Sequence, residues 1–178
     1  NRVLGLINRT LSYRSRKVLL QLYKTLVRPH VEYCTVAWSP CYKKDCELIE
    51  KIQHRFTRMV PGMKGLSYLE RTKQLGLWTL EERRNRADIL EVYKMARGLS
   101  RLQFSAFFDL DSSHRTRGHA LKLVKRGCDT DLRRHFFSER VFQRWNGLDD
   151  DTVSAESLNS FKKRLSKLRD TRMGLFKD

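Results

Sequence analysis

The sequence predicts a mainly α-helical fold, with a helical bundle over residues 1–100 and a smaller, basic helical region over residues 101–178. Apolar side chains recur at helical spacing along most of the chain. Two capping-box sequences stand where helices would begin. With 178 residues, 40% of them hydrophobic, the chain can bury a core as one domain or as two small ones.

Three helices are predicted before residue 62. The apolar stripe of the first consists of Leu19, Leu22, Tyr23 and Leu26. Pro29 predicts an end near Arg28 and can itself open a second, short helix that ends at Ser39-Pro40. The third helix has a stripe of Leu48, Ile49, Ile52, Phe56 and Met59. Pro61-Gly62 ends this third helix.

Capping chemistry predicts the next two helices. Ser67 and Glu70 have the spacing of a capping box, and so do Thr79 and Glu82. The second box opens a long helix that carries Leu90 and Tyr93 inward. Each helix is followed by a glycine in the place of a left-handed C-terminal residue, at Gly76 and Gly98.

The C-terminal region is less regular. Residues 114–134 show no helical stripe, and the brief alternation of Leu121, Lys122 and Leu123 leaves a short β-hairpin open as an alternative. Helical spacing returns in two terminal helices, one with Phe137, Val141, Trp145 and Leu148 and one with Leu158, Phe161, Leu165 and Leu168. Trp145-Asn146-Gly147 is typical of a helix end in which Asn146 or Gly147 is left-handed.

The net charge of +17 predicts an anionic partner, and nucleic acid is the commonest. On charge alone, ribosomal or histone-like packing and binding to an anionic membrane surface stay open. Basic side chains outnumber acidic ones by 12 to 4 in residues 1–60, by 8 to 5 in residues 61–100 and by 17 to 11 in residues 101–178. This spread indicates a folded surface that lies along a polymer.

The setting predicted by the sequence is nuclear or cytoplasmic. No apolar run is long enough for a membrane span, and the first residues lack a secretory signal. Four unevenly spaced cysteines indicate reduced thiols rather than a disulfide framework. The first residue is Asn1, not Met, so we expect a piece of a longer protein.

Two basic stretches are the predicted phosphate-binding sites. The first runs from His114 to Arg126 without an acidic residue, and its contact residues are Arg115, Arg117, Lys122, Lys125 and Arg126. The second is the outer face of the last helix, with Lys162, Lys163, Arg164 and Lys167. For both stretches plain solvation is the alternative, and the basic helix would also suit a membrane surface.

Catalytic and metal sites are not predicted. Asp109 and Asp111, and the cluster Asp149-Asp150-Asp151, lie in predicted connectors without the strand-borne partners that a two-metal centre needs. The spacing of Cys34, Cys41, Cys46 and His54 contains no C-x-x-C knuckle, so buried thiols are favoured over zinc. Trp38, Trp78 and Trp145 could stack on bases, but their apolar neighbours favour the core.

An ordered series of motifs runs along most of the chain. The series begins with Leu26-Val27-Arg28-Pro29-His30-Val31-Glu32-Tyr33 and Trp38-Ser39-Pro40, and goes on with Leu48–Gln53, Tyr68–Arg71, Leu75–Leu77 and Leu80–Arg84. It ends with Thr116-Arg117-Gly118, Phe136-Phe137-Ser138, Trp145-Asn146 and Ser160–Leu165. In this order the motifs resemble the region after the catalytic palm of jockey-like LINE reverse transcriptases. The resemblance departs at Asp149, where the family usually has proline.

The resemblance implies the thumb and C-terminal region of an RNA-directed DNA polymerase from a non-LTR retrotransposon. Residues 1–100 would be the thumb-like helical region that grips the primer–template. The expected partners are RNA, DNA or their hybrid, together with the rest of the parent polyprotein, and no membrane. The polymerase site with its Mg²⁺ and the endonuclease lie elsewhere in that family, so no catalysis and no cofactor are expected of this chain. The alternative is a host-used helical protein–protein interaction module derived from such an element.

Overall fold

The computed structural model describes residues 1–111, 118–172 and 174–177. The predicted mainly helical fold is confirmed. The chain forms two compact units, residues 1–84 (unit 1) and 85–178 (unit 2). The predicted division lay near residue 100. The boundary is earlier because Tyr93 belongs to the core of unit 2, where its hydroxyl donates to the carbonyl of Ala155 at 2.5 Å.

Three of the helices in the described ranges are long, and the others are short. Those of the first part are α1 (Arg2–Thr10), α2 (Arg16–Leu22), a π-helix (Tyr23–Val27), α3 (Arg28–Glu32), α4 (Thr35–Trp38), α5 (Lys43–Met59), α6 (Tyr68–Gln74) and α7 (Leu80–Ala96). They are followed by a 3₁₀ turn (Phe104–Ala106), α8 (Asp131–Arg134), α9 (Phe137–Arg140), α10 (Phe142–Asn146), α11 (Asp150–Val153) and α12 (Leu158–Thr171).

The core of unit 1 is apolar side chains from its helices and connecting segments, packed around the Tyr23 and Phe56 rings, which stack at 4.1 Å. Helix α1, which the sequence did not predict, adds Leu4 and Ile7. The fully buried amide of Gln53 accepts from the Tyr23 hydroxyl at 2.6 Å and donates to the Trp78 carbonyl at 2.9 Å. Its polar atoms are therefore paired, as burial requires.

The helix after Ser15 continues through the predicted stop at Arg28 and changes its register. In the π-helix Tyr23–Val27, the Arg28 N–H bonds to the Tyr23 carbonyl, five residues back. The wider turn inserts one residue, so that Val27 is buried and Leu26 is exposed, against the prediction. Pro29 is the second residue of α3 and has no N–H to donate, so the continuous helix lacks one backbone hydrogen bond at this position.

Both predicted capping boxes are confirmed. The Ser67 hydroxyl accepts from the Glu70 N–H, and the Glu70 carboxylate accepts from the Ser67 N–H at 2.7 Å. Thr79 and Glu82 make the same reciprocal pair at 2.9 and 3.1 Å. The predicted left-handed glycines follow, with φ of +60° at Gly76 and +66° at Gly98.

Unit 2 has an aromatic core. The Phe161 ring of α12 stacks on Tyr93 at 4.1 Å and lies 6.3 Å from the Trp145 ring. The three side chains are at most 1% exposed. The predicted helix over residues 137–148 is two short helices that meet at Val141. It ends at Asn146 as predicted, but Gly147 has φ of −81° and is not left-handed.

The described part of residues 114–134 does not form the β-hairpin that the sequence left open as an alternative. Leu123 makes one antiparallel bridge with Leu110, outside the stretch, and no named strand occurs in the described ranges. Two predictions of buried side chains were also wrong. Leu48 is 57% exposed and Trp38 42% exposed, because the buried side of α5 turns toward Gln53 and Phe56 and α4 is a single short turn.

Candidate nucleic-acid interface

Unit 2 contains a concave basic surface, called here the basic groove, with a volume of about 820 Å³. Two of the predicted site residues, Lys125 and Arg126, line it. Its other charged or titratable lining residues are Cys128, Arg134, His135, Glu139, Arg140, Arg144 and Lys177. Six cationic side chains thus face one carboxylate, and a phosphate-bearing ligand would find a positive field there.

The strand-like segment that carries Lys125 and Arg126 is held by the end of α10. The Asn146 amide accepts from the Leu123 N–H and donates to the Leu123 carbonyl, both at 2.9 Å. The Trp145 indole N–H donates to the Leu121 carbonyl at 2.7 Å. These bonds hold the backbone of residues 121–123 against the core. The side chains of Lys125 and Arg126 therefore extend from an ordered backbone.

The basic run is not unopposed in space, which corrects the sequence prediction. The Arg126 guanidinium bonds to the Asp109 carboxylate, at 2.8 Å from Nε and 2.7 Å from Nη2. Arg140 is paired with buried Asp88, and Arg134 lies 3.4 Å from exposed Asp131.

Lys125 and Lys177 make up the least neutralised part of the groove. Both are exposed, and within the described ranges neither has an ion-pair partner.

Lys122 does not line the basic groove. Its side chain packs against Gly118, at φ of +126°, so closely that a β-carbon there would lie 2.9 Å from the Lys122 Cε. It lines a smaller depression of about 350 Å³ together with Lys125. Arg115 and Arg117 lie outside the described residues.

The predicted sites on α12 separate into two groups. Lys163 and Lys167 are exposed, four residues apart on the outer face, as predicted. Lys162 and Arg164 are half-buried, which corrects their predicted outward orientation. They lie beside the buried stripe of Phe161 and Leu165. Side chains at these neighbouring positions of the helix are partly covered. None of the four lines the basic groove.

Sequence reasoning missed Arg134, Arg144 and Lys177 as groove residues. Arg134 stands among acidic neighbours in the sequence, and a search for acid-free runs passes over it. Arg144 and Lys177 come from α10 and the C-terminal segment, and only the fold brings them to one concave surface. No local sequence signal indicates that these three side chains lie on one surface.

Unit 1 has a basic surface of its own along α5, called here the α5 surface. Lys51, Arg55 and Arg58 are exposed at positions i, i+4 and i+7, and they line a depression of about 980 Å³ with Arg14 and Lys64. His54 in the same depression stacks on Tyr68 at 3.5 Å. Burial, with Arg71 and Arg58 nearby, lowers the pKa of His54.

Two carboxylates in the α5 depression reduce its charge. They are Glu47 and Glu50. The Glu50 carboxylate is already engaged, because it accepts from the Leu80 N–H at 3.0 Å and from the Tyr68 hydroxyl. The pKa of the Tyr68 hydroxyl is raised by burial and by Glu50.

Two of the carboxylates weighed in the sequence as catalytic candidates have other contacts. Asp109 binds Arg126, and Asp149 caps α11 by accepting from the Thr152 N–H at 3.0 Å. In the part of the chain that the structure describes, no three His, Cys, Asp or Glu side chains are grouped as metal ligands. No helix over those residues is long and apolar enough to cross a membrane.

Both units are basic in composition. Unit 1 has 17 basic and 7 acidic side chains, and unit 2 has 20 and 13. No protein-family model matches this chain, and no curated protein or solved structure shows significant similarity to it.

Proposed function

We propose that this chain binds nucleic acid through the phosphate backbone, as the thumb-like and C-terminal part of a non-LTR retrotransposon reverse transcriptase. The observation that carries the proposal is the basic groove, in which Lys125 and Lys177 lack carboxylate partners among the described residues. Arginine and lysine side chains on a concave surface suit phosphate oxygens, and the recess focuses their field. The ligand class is RNA, DNA or their hybrid.

The ordered motifs of the chain support the retrotransposon assignment, and the α5 surface supports a contact by unit 1 as well. Backbone contacts position a protein on a nucleic acid but carry no sequence information. Binding is therefore electrostatic and only weakly sequence-selective. The chain adds no polymerase chemistry of its own, and that chemistry belongs to the palm.

A salt-series titration tests the proposal. Fluorescence anisotropy with labelled 20-nucleotide RNA, single-stranded DNA, duplex DNA and hybrid would give an affinity at each salt concentration. If about five phosphates are neutralised, log K falls against log salt with a slope of about −3.5 for a single strand and −4.5 for duplex DNA. The groove variant Lys125→Ala/Arg134→Ala/Lys177→Ala should flatten the single-strand slope by about 2.

The matched control is Lys17→Ala/Lys73→Ala/Arg101→Ala, which removes the same charge from exposed positions outside the basic groove and the α5 surface. We expect it to change the slope by less than about half a unit, since distant exposed charges are screened. Equal effects of the two variants would show that the groove is not the site. Absence of binding by the parent chain at low salt would favour the protein-interaction alternative.

A further inference from the structure

We propose that residues 33–44 of unit 1, called here the aromatic segment, stack on the unpaired bases of a single-stranded nucleic acid. The inference rests on the proposed nucleic-acid binding and adds the class of ligand: a strand with accessible bases rather than a closed duplex. The segment is separate from the basic groove, and it carries Tyr33, Trp38 and Tyr42.

Two of the three aromatic side chains of the segment are largely in solvent, and the third is partly exposed. Tyr33 is 76% exposed, Trp38 42% and Tyr42 66%. By contrast, Tyr23 and Phe56 in the core of unit 1 are almost fully buried. Exposed rings add little to the stability of the fold, and every base has a flat face that can stack on such a ring.

The backbone under the rings is held in place. The Trp38 indole N–H donates to the Tyr33 carbonyl at 2.5 Å, so the polar edge of the ring is satisfied while its surface stays exposed. Thr35 between them is buried, and the Cys46 thiol contacts the Pro40 carbonyl at 3.4 Å. Rings on an ordered backbone lose little conformational entropy when a ligand stacks on them.

The turn after Tyr33 has an uncommon backbone conformation. Cys34 has φ of +50°, a left-handed value found at no other non-glycine residue in the described ranges. A side chain with a β-carbon is disfavoured in this region, and such residues concentrate at ligand-binding sites. The turn separates Tyr33 from α4 and lets the indole of Trp38 reach back to the Tyr33 carbonyl.

The charge of the aromatic segment favours a nucleic acid over an apolar protein surface. Residues 33–44 contain no carboxylate, and Lys43 and Lys44 are exposed at one end. The Lys44 Nζ lies 5.9 Å from the centre of the Tyr42 ring. The carboxylate that immediately precedes the segment, Glu32, is bound by Arg83. Asp45 and Glu47 follow the segment, but among the described residues neither forms an ion pair with Lys43 or Lys44. Aromatic rings beside cations are the combination that single-strand binding uses.

The test compares oligo(dT) of 20 nucleotides with duplex DNA of the same length, using the full chain and the variant Tyr33→Ala/Tyr42→Ala. We expect the variant to bind oligo(dT) about tenfold more weakly for each ring removed, with an unchanged salt slope, and to bind the duplex within twofold of the parent. Tyr33→Phe/Tyr42→Phe should retain parental affinity, because the ring faces remain.

Tyr13→Ala is the matched control, since Tyr13 is 72% exposed but lies outside the aromatic segment, and it should leave both affinities unchanged. Quenching of tryptophan fluorescence by oligo(dT) should be much weaker in Trp38→Phe, because the two remaining tryptophans are less accessible, Trp145 being buried and Trp78 half-buried. Parental affinity of the double alanine variant for oligo(dT) would overturn the inference. If the parent chain still binds nucleic acid with a steep salt slope in that case, the proposed function stands although the inference is wrong.

Self-association provides a second readout. If sedimentation shows that the parent forms a dimer that Tyr33→Ala/Tyr42→Ala abolishes while oligo(dT) affinity is retained, the aromatic segment is a protein interface and the inference is wrong. A monomeric parent whose oligo(dT) affinity falls in the variant supports it.

Discussion

Arg140 and Asp88 form a two-point ion pair, with 2.8 Å from Nε to Oδ2 and 2.9 Å from Nη2 to Oδ1. Asp88 is only 1% exposed. Arg140→Ala would break this ion pair at a buried carboxylate, so we expect a loss of about 3–5 kcal/mol in the free energy of unfolding. Urea denaturation followed by circular dichroism measures it.

The control for this pair is Arg134→Ala. Arg134 lies 3.4 Å from Asp131, and both side chains are mostly in water. An exposed pair contributes about 0–1 kcal/mol. Equal losses of unfolding free energy in Arg134→Ala and Arg140→Ala would contradict the prediction that the buried ion pair stabilises the fold more than the exposed one.

Phe161→Ala should destabilise the chain strongly, because the ring is fully buried and stacked on Tyr93. We expect a cost of about 3–5 kcal/mol in the free energy of unfolding. Phe136→Ala removes a ring that is 46% exposed and should cost clearly less. An unchanged melting temperature in Phe161→Ala would mean that α12 does not dock by this face.

The outer face of α12 is expected to make a separate contribution to phosphate binding. Lys163→Ala/Lys167→Ala removes its two exposed predicted cations and should flatten the salt slope for a single strand by about 1.4. Lys73→Ala/Arg101→Ala is a control of equal charge change. If the α12 variant keeps the parental slope, Lys163 and Lys167 contact water and not phosphate.

Stability should fall as the pH drops from 7 to 5, in part through His119. Burial lowers the pKa of His119, whereas its hydrogen bond to the Trp145 carbonyl, at 3.1 Å, acts in the other direction. In the unfolded chain the pKa of the imidazole is about 6.5. Below that pH the unfolded state therefore takes up a proton more readily than the folded state, and the free energy of unfolding decreases.

His119→Gln should weaken this pH dependence. His54, whose pKa is also lowered by burial, contributes with the same sign, so His54→Gln is measured alongside. Urea midpoints at pH 7, 6 and 5 provide the comparison. A parent chain that gains stability on acidification would show that the buried histidines do not control this pH range.

We expect no primer extension by the isolated chain with Mg²⁺ and deoxynucleotides, because the sequence offers no carboxylate pair on rigid strands. Extension that is reproducible and survives both Asp109→Ala and Asp150→Ala would contradict a chain without polymerase chemistry.

Local chemistry accounts for the parts of the fold that were predictable. A capping box closes within four residues, so Ser67 with Glu70 and Thr79 with Glu82 could be recognised without knowledge of the core. The burial of Val27 in place of Leu26 could not be recognised in this way, because it depends on the π-helix. The inner face of that helix packs around Phe56.

The candidate site was predictable only in part for the same reason. Lys125 and Arg126 belong to one run in the sequence and lie together in the basic groove. Asp109, which neutralises Arg126, is 17 residues away in the chain, and the absence of acids in the run gave no sign of it. Groove residues such as Lys177 come from distant segments, and only tertiary packing assembles them.

The π-helix Tyr23–Val27 affects how this part of the chain tolerates changes in length. Loss of one residue inside an ordinary helix rotates every later side chain by about 100° around the axis. Here the turn already holds one residue more than an α-helix needs, so deletion of Lys24 or Thr25, both exposed, would convert it to α geometry. Leu19, Tyr23 and Val27 would still face the core. Single-residue gaps among related chains should therefore accumulate at this turn rather than in α5.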